Sequence, residues 1–241
     1  SEITAEVAKS LPARSADGKT FTFTIRKGFR FSPPTNQSVT AQTFKYTIER
    51  ALSPRMKSPS DYQFTDIVGA RAYMAGRSSY ITGVTARGDK LTIRLVAPAP
   101  DLPARMAENV MCAVPDNTPI DPKGLPTIPM AGPYYIASYA PGQGVVLKRN
   151  PNYRGRRPHS FSQIDLAVNV SPKQIVAHIE AGTADYANSS FDAASLGPRY
   201  GAGSHAAAKG NQQYFVNRVP VLWFFTLNTR RPLFSDERLR Q

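Results

Sequence analysis

The stretch GPYYIASYAPGQGVVLKRNPNYRG, residues 132–155, predicts a β-hairpin in the middle of the chain. Two runs of alternating residues flank a Pro-Gly turn, and the second run stops at NPNY. Asparagine side chains in such a turn bond to nearby backbone groups, so we expect this of Asn150 and Asn152. We also expect Tyr153 to pack as the corner aromatic. The stretch contains no pattern that is typical of catalysis, which favours a structural role.

Upstream of the hairpin, three segments have clear patterns. The run FTFTI (21–25) alternates after a tight turn and predicts a strand. Thr40 is a typical N-cap for a helix over 41–52, whose apolar residues recur four apart. Segments 84–86 and 91–95, with a polar turn between them, predict a second hairpin. Together they indicate a sheet packed against a helix.

The next segments are less regular. We expect helices over 64–74 and 101–109, and a short buried strand over 110–114. Segment 115–129 is rich in proline and has no periodicity, and it is our candidate for a boundary between lobes.

Downstream of the hairpin, strands and helices alternate. We expect a strand over 164–170, a helix that begins after the N-cap Ser171, and a short strand at 185–186. Segments 214–216 and 221–227 also predict strands. The fold class is therefore mixed α/β (α+β), with hairpins and occasional crossing helices.

The charge of the chain is strongly basic. Its 241 residues carry a formal net charge of +13, with a pI of about 10.0. A basic balance is compatible with nucleic acid, an anionic membrane or a solvated surface. The densest cluster comprises Arg154, Arg156 and Arg157, and no run is as long as a basic tail. A solvated surface is therefore favoured, with a nucleic-acid-binding module as the alternative.

Residues for metal binding or catalysis do not form a recognisable pattern. Cys112 is the single cysteine, which excludes an internal disulfide, and its apolar neighbours predict a buried thiol. His159, His178 and His205 lack partners at metal-ligand spacing, so we expect no metal and no cofactor. The chain has no nucleophile elbow and no phosphate-binding loop. It is therefore predicted not to be an enzyme, and a hydrolase is only a third hypothesis.

The order of the segments resembles the extracytoplasmic solute-binding proteins of ABC transporters, in the oligopeptide-, dipeptide- and nickel-binding family (family 5). The resemblance is carried by the hairpin and five further segments: DGKTFTFTIRKGFRFS (17–32), VTAQTFKYTIERAL (39–52), AVPDN (113–117), IDLAVNVSPKQIVAHIEAGTADYA (164–187) and WFFTLNTRRPLFSDERLRQ (223–241). It extends over nearly the whole chain in a consistent order.

The resemblance implies part of a type II periplasmic-binding-protein fold. Residues 1–114 would form the smaller, peripheral lobe, and residues 115–241 would form part of the first main ligand-binding lobe. The second main lobe would be absent from this chain. Ligands of this family lie between the two main lobes, which close by a hinge.

The resemblance also implies ligand-binding residues. Asn228 matches a ligand-contacting strand most directly, and Thr226 and Phe224 share its face by alternation. Thr229 is a weaker candidate. Some relatives use an aromatic residue after the segment that matches 58–59; here serine stands at that position, so Tyr62, two residues further, is the candidate.

Met130 is a further candidate site residue. It lies in the segment before Gly132, which would form a wall of the binding site, and relatives often have smaller residues there. The implied function is the solute-binding component of an importer that delivers peptides, nickel complexes or sugars to permease subunits. Such a protein is extracytoplasmic and lipid-anchored. Missing strands would leave an exposed sheet edge, through which we expect self-association of copies.

Overall fold

The computed structural model describes residues 3–216 and 227–239. The chain divides into two compact units, residues 1–169 and 170–241, called unit 1 and unit 2 below. Unit 1 contains two antiparallel sheets and the larger apolar core. Unit 2, where it is described, contains short helices.

The first sheet of unit 1 has four strands, which are β1 (Ala13–Arg14), β2 (Thr20–Thr24), β3 (Val84–Arg87) and β4 (Lys90–Arg94). Their order in the sheet is β1-β2-β4-β3. Phe21 and Phe23 point to the core with 2% and 9% exposure, as the alternation of the sequence predicts. The predicted strand at 21–25 is confirmed, and so is the hairpin predicted from segments 84–86 and 91–95.

Helix α1 (Ala41–Ala51) covers this sheet. Thr40 caps it as predicted: its hydroxyl accepts from the amide of Thr43, whose own hydroxyl accepts from the Thr40 amide. Ile48 and Leu52 are buried to 0% and 2% exposure, which confirms the apolar stripe. The helix is therefore fixed by its cap and by its buried face.

The segments after α1 form short helical turns: a 3-10 helix (Asp61–Phe64), α2 (Ala70–Met74), α3 (Leu102–Arg105) and a second 3-10 helix (Asn109–Met111). The helix predicted over 64–74 was too long, because Gly69 adopts a φ of 82° just before α2. The strand predicted over 110–114 was wrong.

Cys112 does not match its prediction. It is exposed rather than buried. It follows the second 3-10 helix, in a stretch that local hydrophobicity predicts as a strand. The core of unit 1 takes Met111 instead, with 2% exposure, because the helical turn directs only one of these neighbours inward.

The second sheet of unit 1 confirms the predicted central hairpin. Its strands are β5 (Tyr134–Ala140), β6 (Gly144–Arg149) and β7 (Gln163–Ala167), in the order β5-β6-β7. Gly142 lies in the turn with a φ of 76°, a conformation that favours glycine. Within the described residues β5 and β7 are the outer strands of this sheet.

Unit 2 begins with α4 (Pro172–Glu180), which is capped by Ser171 as predicted. The remaining described helices are α5 (Ala193–Tyr200), α6 (His205–Ala208), α7 (Pro232–Ser235) and a 3-10 helix (Glu237–Leu239). No helix in the described ranges is long and apolar enough to cross a membrane.

Two predicted strands of unit 2 are wrong. Residues 185–186 are irregular, and Tyr186 is 82% exposed, so no sheet contact holds them extended. Residues 214–216 are also irregular. The strand predicted over 221–227 lies outside the described residues, except for its last residue.

Candidate ligand-binding surface

The NPNY corner at the end of β6 is held by the side chain of Asn150, which is 2% exposed. Its Nδ2 donates to the carbonyls of Met130, at 3.1 Å, and Gly132, at 3.0 Å. Its Oδ1 accepts from the amide of Asn152 at 3.0 Å. The predicted asparagine-to-backbone bonding is confirmed. The same bonds fix the backbone immediately before the hairpin.

Asn152 ties this corner to the segment that precedes α1. Its Nδ2 donates to the carbonyl of Phe31 and to the Oδ1 of Asn36, both at 2.7 Å. Asn36 has a φ of 52°, which asparagine tolerates better than most residues. Parts of the chain more than a hundred residues apart in sequence are thereby joined.

Tyr153 is the buried corner aromatic that the sequence predicts, with 3% exposure. Its ring packs edge-on against Phe29, at 6.4 Å between centroids, and its hydroxyl bonds to the carboxylate of Glu6. Arg157 donates its backbone amide to this hydroxyl at 3.0 Å and pairs with Glu6 at 2.9 Å. Burial, reinforced by the Glu6 hydrogen bond, raises the pKa of Tyr153.

Met130 has a fixed backbone and a partly exposed side chain. Its amide donates to Ser32 Oγ at 3.2 Å, and its carbonyl accepts from the Ser32 amide at 2.9 Å. The side chain is 40% exposed. The apolar side chain of Met130 is therefore accessible, and its backbone is held by two hydrogen bonds to Ser32.

The irregular segment 115–129 that leads to Met130 is anchored to α1. The guanidinium of Arg50 donates twice to the carbonyl of Pro119, at 2.8 and 3.0 Å, and Tyr46 donates to the carbonyl of Thr118. A depression of about 230 Å³ opens along this segment, and Thr35 also lines it. The segment is irregular but attached at several points.

Tyr62 lies on the first 3-10 helix and is 69% exposed. It lines an open depression of about 480 Å³, together with Asp66 and Arg105. Arg105 binds Asp66 through two bonds of 2.8 and 2.9 Å, and this hydrogen bonding raises the pKa of Arg105. Met130 is not among the residues that line this depression.

Asn228 and Thr229 lie in unit 2, and both are exposed. Asn228 Oδ1 accepts from the amide of Arg230, and its carbonyl accepts from the amide of Arg231, both at 3.1 Å. These bonds form a turn that orients the Asn228 side chain, whose Nδ2 has no partner among the described residues. Thr226 and Phe224 lie outside the described residues.

The sequence does not predict the polar partners of the NPNY corner. Glu6, Ser32 and Asn36 each contact it from far along the chain, and none belongs to a recognisable motif. Within the described residues, no group of three His, Cys, Asp or Glu side chains could hold a metal ion.

The family of the chain follows from comparison with known proteins. A family model described as bacterial extracellular solute-binding proteins, family 5 (middle), matches residues 2–241. The chain belongs to this family. The resemblance read from the six sequence segments is confirmed.

Two curated relatives are oligopeptide-binding proteins named OppA. The protein of Bacillus subtilis is 30% identical over 182 residues, which cover 72% of this chain and 33% of the relative. The periplasmic protein of Escherichia coli is 24% identical, with 93% of this chain and 41% of the relative covered. The chain thus spans about a third to two fifths of the length of these relatives.

Solved structures show the same fold. Clavulanic acid biosynthesis oligopeptide binding protein 2 matches with a TM-score of 0.70 and 19% identity, over 87% of this chain and 38% of that protein. OppA of Listeria monocytogenes bound to peptide gives 0.69 and 19%, over 80% and 39%. The predicted mixed α/β fold of periplasmic binding proteins is confirmed, and the chain covers part of it. The proteins named in these comparisons are binding proteins.

Proposed function

We propose that this chain forms part of the solute-capturing component of an ABC importer. The observation that carries the proposal is the family match over residues 2–241, together with a fold shared with peptide-binding proteins. A ligand would be captured between two lobes, and lobe closure would commit it to delivery. No bond is made or broken in this mechanism, in keeping with the prediction that the protein is not an enzyme.

Peptide is the ligand class that the comparisons support best. The relatives include oligopeptide-binding proteins and a dipeptide-binding protein of Lactococcus lactis. A structure of NikA from Staphylococcus aureus with a nickel–histidine complex has the same fold, at a TM-score of 0.57. A nickel complex is therefore a competing outcome of the experiment below.

The lobe assignment and the binding residues belong to the same proposal. Residues 1–114 would be the peripheral lobe and 115–241 part of the first main lobe, although the boundary between the two compact units follows residue 169. Asn228 would bond to the peptide backbone, because its amide is exposed and held by a turn. Thr226, Phe224 and Thr229 would extend this surface.

Tyr62 and Met130, both in unit 1, would each contact ligand side chains, and this is proposed for each residue by itself, separately from the Asn228 surface. Both side chains are exposed, at 69% and 40%, and each is carried by backbone that hydrogen bonds hold in place. Exposed apolar side chains on a rigid frame are suited to contact with ligand side chains.

Permease subunits would receive the ligand at the outer face of the membrane. The family is described as extracellular, which supports an extracytoplasmic location. A lipid anchor in the whole protein is a further part of the proposal, and it rests on the family resemblance alone. We expect no specific binding of nucleic acid, since the basic residues are mostly scattered along the chain.

Calorimetric titration of the full-length protein tests this function. Dipeptide, tripeptide and oligopeptide pools, followed by a nickel–histidine complex, should give saturable heat with one class. Asn228→Ala should weaken that binding about tenfold, the equivalent of one or two lost hydrogen bonds. The matched control Asn188→Ala changes an exposed asparagine outside the proposed surface and should leave the affinity unchanged.

Absence of heat with every pool, combined with tight and salt-sensitive binding of DNA, would overturn the proposal in favour of a nucleic-acid-binding module. Equal affinities of Asn228→Ala and the control would reject the assigned surface while leaving the function in place.

Self-association through the outer strands of the second sheet is a further expectation. Strands β5 and β7 each pair on one side only within the described part of the chain. Unpaired edges are templates for a second copy. The present chain should therefore show a mass that rises with concentration in size-exclusion chromatography with light scattering. A constant monomer mass would contradict this expectation.

A further inference from the structure

The central part of the chain has a one-sided charge. Between Asp121 and Asp165 there is no acidic residue, whereas six cations occur there. They are Lys123, Lys148, Arg149, Arg154, Arg156 and Arg157. Five of the six fall within residues 148–157, at the end of β6 and in the loop that follows.

The structure holds an exposed aromatic residue near the end of β6, where two of these cations lie. The Arg149 amide donates to the carbonyl of Ser162 at 3.0 Å, and the Phe161 amide donates to the hydroxyl of Tyr134 at 3.1 Å. Phe161 is thereby held next to the end of β6, and its side chain is 66% exposed. An exposed ring among cations is typical of membrane-interface segments.

Most of these cations are not neutralised. Arg157 pairs with Glu6, but in the described part of the chain Lys148, Arg149, Arg154 and Arg156 form no ion pair, and all four are exposed. The guanidinium of Arg154 donates to two backbone carbonyls, each at 2.9 Å, which orients it and leaves its charge uncompensated. We call these four cations with Phe161 the basic corner.

We propose that the basic corner contacts the anionic phospholipid headgroups of a membrane surface. The inference rests on the proposed extracytoplasmic function, because a binding protein that serves a permease works at such a surface. Four uncompensated cations are attracted to negative headgroups, and Phe161 can enter the interface between headgroups and acyl chains. The extracellular description of the family favours a lipid surface over nucleic acid as the source of anionic groups.

Vesicle flotation tests the proposal. The full-length protein, prepared without lipid attachment, is mixed at low ionic strength with phosphatidylcholine vesicles or with vesicles containing a quarter phosphatidylglycerol. Binding should require phosphatidylglycerol. The triple variant Lys148→Gln, Arg149→Gln, Arg156→Gln should lower the partition coefficient on the order of a hundredfold, since each cation contributes about fivefold. None of these three side chains forms a hydrogen bond within the described residues.

A control variant removes the same charge elsewhere. Arg55→Gln, Arg77→Gln, Arg87→Gln changes three exposed arginines of the first part of unit 1 and should retain most of the binding. Equal losses in the two triple variants would show a net-charge effect and overturn the proposal.

Two further readouts separate the alternatives. Phe161→Ser should weaken binding to anionic vesicles without changing the peptide affinity. If this variant binds the vesicles as tightly as the parent, interfacial insertion of Phe161 is contradicted. Binding of DNA but not of anionic vesicles would also overturn the proposal. Peptide affinity, measured in parallel, should be unchanged in all variants, so that a failure of the proposed function is distinguished from a failure of the membrane contact.

Discussion

Replacement of Asn150 by alanine tests whether side-chain hydrogen bonds hold the NPNY corner. The substitution removes the two donations to the carbonyls of Met130 and Gly132 and the acceptance from the amide of Asn152. Each buried hydrogen bond contributes about 1 kcal/mol net. Three such bonds at a position with 2% exposure predict a loss of about 3 kcal/mol in the free energy of unfolding.

Urea unfolding followed by circular dichroism measures this loss as a lower midpoint with an unchanged m-value. Asn188→Ala is the matched control, because the same change at an exposed asparagine should alter stability by less than about 0.5 kcal/mol. Asn150→Asp keeps an acceptor for the Asn152 amide but directs an anionic oxygen toward two carbonyls. It should be at least as destabilising as alanine.

A loss below about 1 kcal/mol for Asn150→Ala would refute this reasoning. It would mean that water replaces the asparagine at little cost and that the corner is held by other contacts, such as the packing of Tyr153 against Phe29.

Three further predictions concern other parts of unit 1. Thr40→Ala should lower stability by about 1 kcal/mol in urea unfolding, because it removes the cap of α1; an unchanged midpoint would contradict the capping box. Arg105→Met should cost about 2 kcal/mol, less than for a fully buried pair, because Asp66 is partly exposed; a neutral effect would show that water compensates Asp66. The pKa of Tyr153 is raised on folding, so its contribution to stability is complete below the pKa of an unfolded tyrosine and is lost as the pH rises through the folded value. In Tyr153→Phe, unfolding at alkaline pH should therefore depend less on pH than in the parent; identical pH dependence would argue against a perturbed phenol.

Local chemistry was sufficient to predict much of unit 1. The strand at 21–25, the cap at Thr40 and the central hairpin follow from alternation, capping and turn residues, which act within a few positions. One of the failures shows the limit of local reasoning. A short apolar run such as 110–114 is compatible with several conformations, and packing against the rest of the unit selected a 3-10 turn there.

The candidate binding residues rest on the family resemblance. The family resemblance led to Asn228, Tyr62 and Met130, whose roles stay predictions. The basic corner required the structure, because hydrogen bonds that join the loop before β7 to Tyr134 and Arg149 bring Phe161 next to the end of β6. No sequence pattern contains this juxtaposition.

The sequence by itself determined which segments are strands and helices where periodicity and capping agree, and it determined the family through the order of six motifs. Only the tertiary structure decided what meets at the NPNY corner, where Glu6, Ser32 and Asn36 converge from distant positions. The physical reason is that capping and alternation are local interactions. A buried side chain such as that of Asn150 must instead find hydrogen-bond partners wherever the folded chain brings them.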